Sequence, residues 1–153
     1  MISIYPEHKQ AVIDIMEEGF FPGKLITHEW LKEHLKLNEN DINYPFIKLS
    51  RVEAFKKELL ENYKIHLDSV RGKGYRVVPP EEQTEVAVTN TMNGIQKNIK
   101  RGINYLQNVD IAKLTDIKKR ENTDALGRIA SISGMVKRER NIIGTEHNLC
   151  AIT

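Results

Sequence analysis

The sequence predicts a mainly α-helical protein with one small β-hairpin, in which a module at residues 1–80 precedes a second helical segment. Apolar residues recur at steps of three and four over much of the chain, as they do on the buried faces of helices. Two β-prone runs, residues 65–70 and 75–78, flank a Gly-Lys-Gly turn and predict the hairpin. Pro79 and Pro80 end it, because proline fits neither a strand ladder nor a helix interior.

Two amphipathic helices are predicted at the start of the chain. The first covers residues 6–20 and closes at Gly19; its apolar face is formed by Ala11, Val12, Ile15 and Met16. Thr27 is a suitable N-cap for the second helix, because its hydroxyl can accept a hydrogen bond from a backbone N–H of the first turn. That helix is expected to end near Asn38, and its apolar face is formed by Trp30, Leu31, Leu35 and Leu37.

The third helix has two candidate starting points, Pro45 and Ser50. Proline is favoured in the first turn of a helix, whereas Ser50 with Glu53 three residues later forms a capping-box pattern. One apolar stripe follows in either case, formed by Val52, Phe55, Leu59, Leu60 and Tyr63. The face expected to point outward carries Arg51, Lys56, Lys57, Glu58 and Glu61.

A helical oligomerisation or interaction segment is predicted at residues 86–140, behind a Pro/Glu hinge at residues 81–85. Its nearly heptad apolar seam is formed by Val88, Met92, Ile95, Ile99, Ile103 and Leu106. A second stripe is formed by Ala125, Ile129, Ile132 and Val136. Glycines within these helices each cost up to about 1 kcal/mol relative to alanine, so the helices need a packing partner. The seam is expected either to fold back on the N-terminal module or to join a homodimer, and residues 141–153 are expected to form a flexible tail.

The net charge of +2 conceals an uneven distribution of charge along the chain. Residues 1–47 contain four Lys/Arg and eight Asp/Glu, whereas residues 48–76 contain eight and four. Residues 86–120 contain seven Lys/Arg and two Asp/Glu. Such a local excess of cations is typical of a nucleic-acid-binding surface, although solvated helix faces also carry charge runs.

The hairpin and the helix before it carry a family resemblance. The sequence Val-Arg-Gly-Lys-Gly-Tyr-Arg at residues 70–76, behind a helix and a short connector, resembles the wing of the winged-helix effector domain of OmpR/PhoB-type response regulators. Residues 21–31 are similar to that family's Pro-Gly turn and following helix, so the resemblance covers roughly residues 6–78. A receiver domain with a phosphoacceptor aspartate is not expected. The resemblance therefore implies a winged helix-turn-helix fold and a DNA-contact mode, not two-component signalling.

A winged helix-turn-helix places its third helix in the major groove and its wing on the backbone or in the minor groove. The expected DNA-contact residues are Lys48, Arg51, Lys56, Lys57, Arg71, Lys73 and Arg76.

Catalytic and metal-binding motifs are weakly supported. His28 and His34 are six residues apart, so they do not share a helix face as the histidines of a zinc protease do. The glycines around Lys73 lack the spacing of a phosphate-binding Walker loop. The single cysteine, Cys150, excludes an internal disulfide and fits a reducing compartment. With no apolar run of about 18 residues and no signal-peptide layout, the expectation is a cytoplasmic protein without catalytic residues, metal or cofactor.

Two functions fit these observations best, and a nuclease accessory subunit is a third, weaker alternative. The first is non-enzymatic binding of double-stranded DNA by a regulator of bacterial or bacteriophage origin. The second is a protein-binding inhibitor or adaptor, phage-encoded and acting on a host enzyme, that uses the winged helix as a scaffold. A fold of this kind does not by itself distinguish them.

Overall fold

The computed structural model describes the backbone of residues 6–150 and the side chains of residues 6–142. It is mainly helical with a small antiparallel sheet. The elements are α1 (Glu7–Glu18), β1 (Leu25–Thr27), α2 (His28–His34), α3 (Tyr44–Tyr63), β2 (Leu67–Val70), β3 (Gly74–Val77), α4 (Gln83–Gln107) and α5 (Asp116–Cys150). Two compact units divide the chain, an N-terminal unit at Met1–Val86 and a helical unit at Ala87–Thr153. The boundary predicted from the sequence lies at residues 81–85.

The core of the N-terminal unit lies between α1, α2, α3 and the sheet. Phe55 and Leu59 of α3 are fully buried, as is Ile15 of α1. Other buried core residues are Ala11, Val12, Ile26, Leu31, Leu35, Leu37, Val52 and Val77. Fully burying an aliphatic or aromatic side chain contributes about 1.5 to 3 kcal/mol, so this shared apolar face holds three short helices together. The predicted stripe of α3 is thus confirmed at its centre, but Leu60 and Tyr63 are 43% and 44% exposed.

The sheet has three strands in the order β1-β3-β2, not the two strands of the predicted hairpin. The strand missing from the prediction is β1, which pairs antiparallel with β3 through Leu25 opposite Arg76 and Thr27 opposite Gly74. Gly74 has a φ of 140°, and a Cβ there would overlap the carbonyl oxygen of Ile26. Glycine at position 74 therefore lets the two strands approach each other.

The ends of α2 and α3 follow local rules. The Thr27 hydroxyl accepts a hydrogen bond from the Trp30 N–H at 3.1 Å, which confirms the predicted N-cap. The helix ends at His34, earlier than the predicted Asn38, because Lys36 adopts a left-handed φ of 50°. The N–H of Leu37 then bonds the Lys32 carbonyl at 2.9 Å, as in a Schellman motif, and Leu37 returns to the core.

The start of α3 agrees with one of its two candidate positions. The helix begins at Tyr44, with Pro45 in its first turn. Ser50 lies inside the helix, so the capping-box interpretation was wrong. The Asn38 side chain accepts a hydrogen bond from the Asn40 N–H, and the Asp41 side chain accepts one from the Asn43 N–H, at 3.0 Å each. These two hydrogen bonds form the polar turn before α3.

The predicted hinge at residues 81–85 has regular structure. Pro80–Glu82 forms one 3-10 turn and α4 begins at Gln83. Within the N-terminal unit, Glu82 accepts a hydrogen bond from Arg76 at 3.0 Å, and Gln83 donates one to the Lys64 carbonyl at 3.3 Å. These contacts tie the 3-10 turn to β3, and the first residue of α4 to the residue that follows α3.

The helical unit is an antiparallel pair of helices. Asn122 donates to the Leu106 carbonyl at 3.2 Å, and Arg140 donates to Gln96 Oε1 at 2.8 Å. The predicted seam residues Val88, Met92, Ile95, Ile99, Ile103 and Leu106 are all half-buried. Ile132, predicted in the second stripe, is 45% exposed, and Val136 is the only buried residue described in this unit. The pair thus leaves much of its apolar surface incompletely covered.

The predicted tail at residues 141–153 is only partly described. Helix α5 continues to Cys150, so residues 141–150 have helical backbone. The side chain of Cys150 and residues 151–153 lie outside the described residues.

Candidate nucleic-acid interface

The tip of the β2–β3 hairpin, formed by Arg71, Gly72 and Lys73, projects two cations into solvent. The Lys73 N–H bonds the Val70 carbonyl at 3.0 Å, and Gly72 supplies the left-handed φ of 74° that this turn requires. Among the described residues, neither Arg71 nor Lys73 forms an ion pair. The Lys73 carbonyl accepts a hydrogen bond from the His28 N–H at 3.2 Å, so the hairpin tip is attached to the start of α2. The hairpin tip therefore carries two unpaired cations, and a backbone hydrogen bond fixes its position relative to α2.

The flank of α3 adjoins the hairpin through Lys56 and Tyr75. Lys56 Nζ lies 5.2 Å from the centroid of the Tyr75 ring, within the range of a cation–π contact. Lys56 also pairs with Glu53 at 3.0 Å, with its side chain 30% exposed. Tyr75 packs inward against the core and meets the His28 ring edge-on at 6.5 Å. The predicted contact Lys56 is thus close to the hairpin but partly neutralised.

Lys48 and Lys57 lie on exposed positions of α3. Lys48 Nζ is 5.8 Å from the Tyr44 ring and borders a cleft of about 190 Å³ that Tyr75 also lines. Lys57 is 70% exposed, and its contact with Glu61 is long, at 3.8 Å. Exposed pairs of this kind contribute little and are easily exchanged for another anion. Both lysines are therefore available to a ligand.

Arg51 is held inside the N-terminal unit. Its guanidinium donates to the carbonyls of Leu35 at 2.8 Å and Lys36 at 3.0 Å, and it lies 3.2 Å from a Glu7 carboxylate oxygen. The two carbonyls belong to the C-terminal end of α2, where helix carbonyls lack intrahelical partners. Arg51 therefore links α3 to α2 and α1. The guanidinium of Arg51, an expected DNA contact, is thus already engaged within the unit.

Arg76 is likewise engaged. It is half-buried and pairs with Glu82 at 3.0 Å, and its strand position lies opposite Asp68 of β2. Of the seven predicted contact residues, the structure leaves Lys48, Lys57, Arg71 and Lys73 exposed, with Lys56 beside them.

Three exposed apolar side chains, which the sequence did not lead us to expect as a surface, lie near the start of α3: Ile42, Phe46 and Leu49. We call them the apolar patch. These side chains are 96%, 75% and 62% exposed. Phe46 and Leu49 are three residues apart at the start of α3 and so share one face of the helix, and Ile42 just precedes it. The spacing of residues 42, 46 and 49 is visible in the sequence, but the apolar stripe predicted for the third helix begins only at Val52. Exposed apolar groups that cluster in this way often mark an interaction site.

The two units carry opposite net charge. The residues of the N-terminal unit, 1–86, include 12 Lys/Arg and 15 Asp/Glu. The residues of the helical unit, 87–153, include 11 Lys/Arg and six Asp/Glu. Although residues 48–76 are locally basic, the N-terminal unit as a whole is slightly acidic and the helical unit is basic.

A polar cluster joins α1 to α2. Asp14 accepts a hydrogen bond from His34 Nδ1 at 2.7 Å, and the Trp30 ring stacks on the His34 ring with centroids 4.0 Å apart. Partial burial alone would raise the pKa of Asp14, but hydrogen bonds from His34 and Gln10 outweigh it and lower that pKa below its ordinary value. The Trp30 indole also donates to Glu18 at 2.8 Å. This cluster ties two helices together.

The described part of the chain contains no group of three or more His, Cys, Asp or Glu side chains that could hold a metal ion. None of its helices combines the length and apolar character needed to cross a bilayer. Comparison with protein-family models, with curated proteins and with solved structures finds no match to this chain.

Proposed function

We propose that this chain binds double-stranded DNA through the hairpin tip and the exposed lysines of α3, as a non-enzymatic regulator. The proposal takes the N-terminal unit to be a winged helix, with α3 as the recognition helix and the β2–β3 hairpin as the wing. Support comes from the element order α1-β1-α2-α3-β2-β3 and from the sheet order β1-β3-β2. A cytoplasmic setting in a bacterium or a phage-infected cell belongs to the same proposal.

One observation carries the proposal. Arg71 and Lys73 are unpaired cations of the described chain, on a turn fixed to the start of α2 by the His28–Lys73 hydrogen bond of 3.2 Å. Holding unpaired cations in solvent on a rigid turn suits contact with phosphates, which supply most of the affinity of DNA-binding proteins. Arg51 and Arg76 are left out of the proposed contact set because intramolecular partners already hold their guanidinium groups.

The test measures the affinity of the protein for a random-sequence duplex by fluorescence anisotropy, at two salt concentrations. Affinity should fall as salt rises, because bound phosphates release counterions. Replacing Arg71 and Lys73 by alanine should weaken binding to all sequences and lower the log–log salt slope by about 1 to 2. A matched variant, Lys9→Ala with Lys113→Ala, removes the same charge at exposed positions outside the proposed surface and should bind nearly as wild type. Equal losses in the two variants would contradict a specific role for the hairpin tip.

The apolar patch favours a second candidate function, that of a protein-binding inhibitor or adaptor acting on a host protein. Phe46 and Leu49 lie on α3, where phosphates would be contacted, and apolar side chains gain from DNA mainly at thymine methyl groups. The excess of Asp/Glu in the N-terminal unit points the same way. Absence of duplex binding by the wild type at low salt would favour this function over DNA binding.

We also propose that the helical unit forms a homodimer. The predicted seam residues stay half-buried after α4 pairs with α5, and Ile132 and Met135 of α5 are 45% and 50% exposed. Covering this surface in a second copy would add burial that the two-helix unit lacks on its own. A twofold dimer would also place two N-terminal units on half-sites about one helical turn apart.

A further inference from the structure

A groove with basic walls lies between α4 and α5 in the helical unit. Its volume is about 850 Å³, and Ile99 and Ile103 are among its lining residues. Its cations are Lys97, Lys100 and Arg101 from α4 and Lys137 from α5. We call this the basic groove. Among its described lining residues there is no carboxylate, so both walls present positive charge only.

Among the described residues, the cations of the basic groove are unpaired, as are Arg120, Arg128 and Arg138 of the same unit, but only the groove cations line one concavity. None of the four forms an ion pair within the described part of the chain. By contrast, Lys113, Lys118 and Lys119 of the same unit pair with Asp110, Glu121 and Asp116 at 2.9, 2.6 and 3.4 Å. Because like charges repel, four unpaired cations around one concavity favour an anionic ligand.

The rest of the lining supplies hydrogen-bond donors. Asn104 and Gln107 add side-chain amides, and Ser133 adds a hydroxyl from the facing helix. Gln96 accepts from Arg140 at 2.8 Å through Oε1, which leaves its amide nitrogen to donate. Amides and hydroxyls beside Lys and Arg are the groups that commonly contact phosphate oxygens.

The spacing of these donors suits a nucleic-acid backbone. From Lys97 to Asn104 the axis of α4 rises about 10 Å, and a lysine, arginine or amide faces the groove at each turn. Successive phosphates of one DNA strand rise about 3.4 Å along the duplex axis, but they follow a helical path and lie roughly twice that distance apart, so about two phosphates fit this length. A second copy of the chain fits the basic groove less well, because a twofold contact there would bring two sets of cations face to face. The proposed homodimer would therefore cover the part of the seam outside the groove, at Val88, Met92 and Ile95.

We infer that the basic groove binds the phosphate backbone of nucleic acid and is a second DNA-contact surface of this protein. The inference rests on the proposed DNA-binding function and extends it to the helical unit, whose Lys/Arg exceed its Asp/Glu. On this inference, the helical unit supplies much of the sequence-independent affinity for DNA. The N-terminal unit is poorly suited to supply it, because its net charge is slightly negative.

The experiment compares two triple variants of the full chain in the same anisotropy assay. Replacing Lys97, Lys100 and Arg101 by alanine should weaken duplex binding about tenfold or more and lower the log–log salt slope by about 2 to 3. The control replaces Lys113, Lys118 and Lys119 by alanine, which removes the same charge outside the groove. It should bind within about twofold of wild type. Equal weakening of both variants would overturn the inference, because only overall charge would then matter.

Two single variants test the same groove in case the triple variant does not fold. Lys137→Ala alters the facing wall of the groove, whereas Arg138→Ala removes the neighbouring exposed charge, which does not line it. Only Lys137→Ala should reduce affinity and slope, with unchanged helix content by circular dichroism. Equal effects of the two substitutions would again refute the basic groove.

A comparison of the groove and hairpin-tip variants and one competition measurement separate the possible outcomes. If the groove variants weaken binding and the hairpin-tip variant does not, the proposed contact by the N-terminal unit fails while the basic groove stands. If only the hairpin-tip variant weakens binding, the groove inference fails and the proposed function stands. Polyglutamate, matched to the duplex in total charge, serves as a competitor. Displacement as effective as by unlabelled duplex would show that an acidic polypeptide competes equally well for the protein, and it would overturn the inference of a nucleic-acid site.

Discussion

Replacing Gly74 by alanine should destabilise the N-terminal unit more than any other single glycine substitution in the hairpin. A Cβ at this position would overlap the Ile26 carbonyl oxygen and lie 3.0 Å from Thr27 Cα, both of which are backbone atoms of β1. Neither can move without separating β1 from β3. The φ of 140° adds a conformational cost of about 1 to 3 kcal/mol. Steric overlap in a packed interior typically costs a further 1 to 3 kcal/mol or so, which gives about 2 to 6 kcal/mol in all.

Gly72→Ala provides a matched control for this substitution. Gly72 has a φ of 74°, but a Cβ there would meet nothing within 4 Å. Its cost should be conformational alone, about 1 to 2 kcal/mol. Urea unfolding followed by fluorescence measures both variants, because the single tryptophan, Trp30, packs against Phe55 with ring centroids 5.9 Å apart. If Gly74→Ala is no more destabilising than Gly72→Ala, the close approach of β1 to β3 is incorrect.

Three other predictions concern Arg51, the hydrogen bond between Asp14 and His34, and the proposed dimer. Arg51→Ala should lower the free energy of unfolding by about 1.5 to 3 kcal/mol and leave the DNA sequence preference unchanged. If the variant has normal stability but an altered preference in a binding-site selection, Arg51 contacts DNA after all. The hydrogen bond from His34 lowers the Asp14 pKa, so the stability advantage of wild type over Asp14→Asn should be complete above about pH 4. It should disappear as pH falls through the lowered pKa, and an equal difference in urea titrations at pH 2 and pH 7 would count against this pairing. Changing Met92 and Ile95, two seam residues that do not line the basic groove, to aspartate should convert the proposed dimer to a monomer in sedimentation. A wild type that sediments as a monomer at every concentration would exclude the dimer.

Local signals in the sequence predicted the helices and the hairpin well. Thr27 caps α2 through a contact three residues away, and Pro45 marks the first turn of α3, so both features depend on near neighbours. Strand β1 could not be found in the same way. It is only three residues long, and its partner β3 lies about 50 residues later, with Leu25 opposite Arg76. Its last residue, Thr27, was already assigned as a helix cap.

The candidate site shows the same division between local and distant contacts. Arg71 and Lys73 are exposed because they occupy a tight turn, which the sequence itself specifies. The role of Arg51 depends on carbonyls at positions 35 and 36 and on Glu7, which come together only in the folded unit. A count of cations predicts that a surface is basic, but it does not show which cations are already paired.

The order of the strands also constrains how the N-terminal unit folds. Strand β3 lies between β1 and β2, so β1 has no strand neighbour until β3 is present. The β2–β3 hairpin can form early, because its strands are close in sequence, whereas adding β1 requires closure of a loop that contains α2 and α3. During synthesis, the sheet therefore stays incomplete until Val77 has left the ribosome. The segment from α1 to α3 must wait for that last strand before its core is closed.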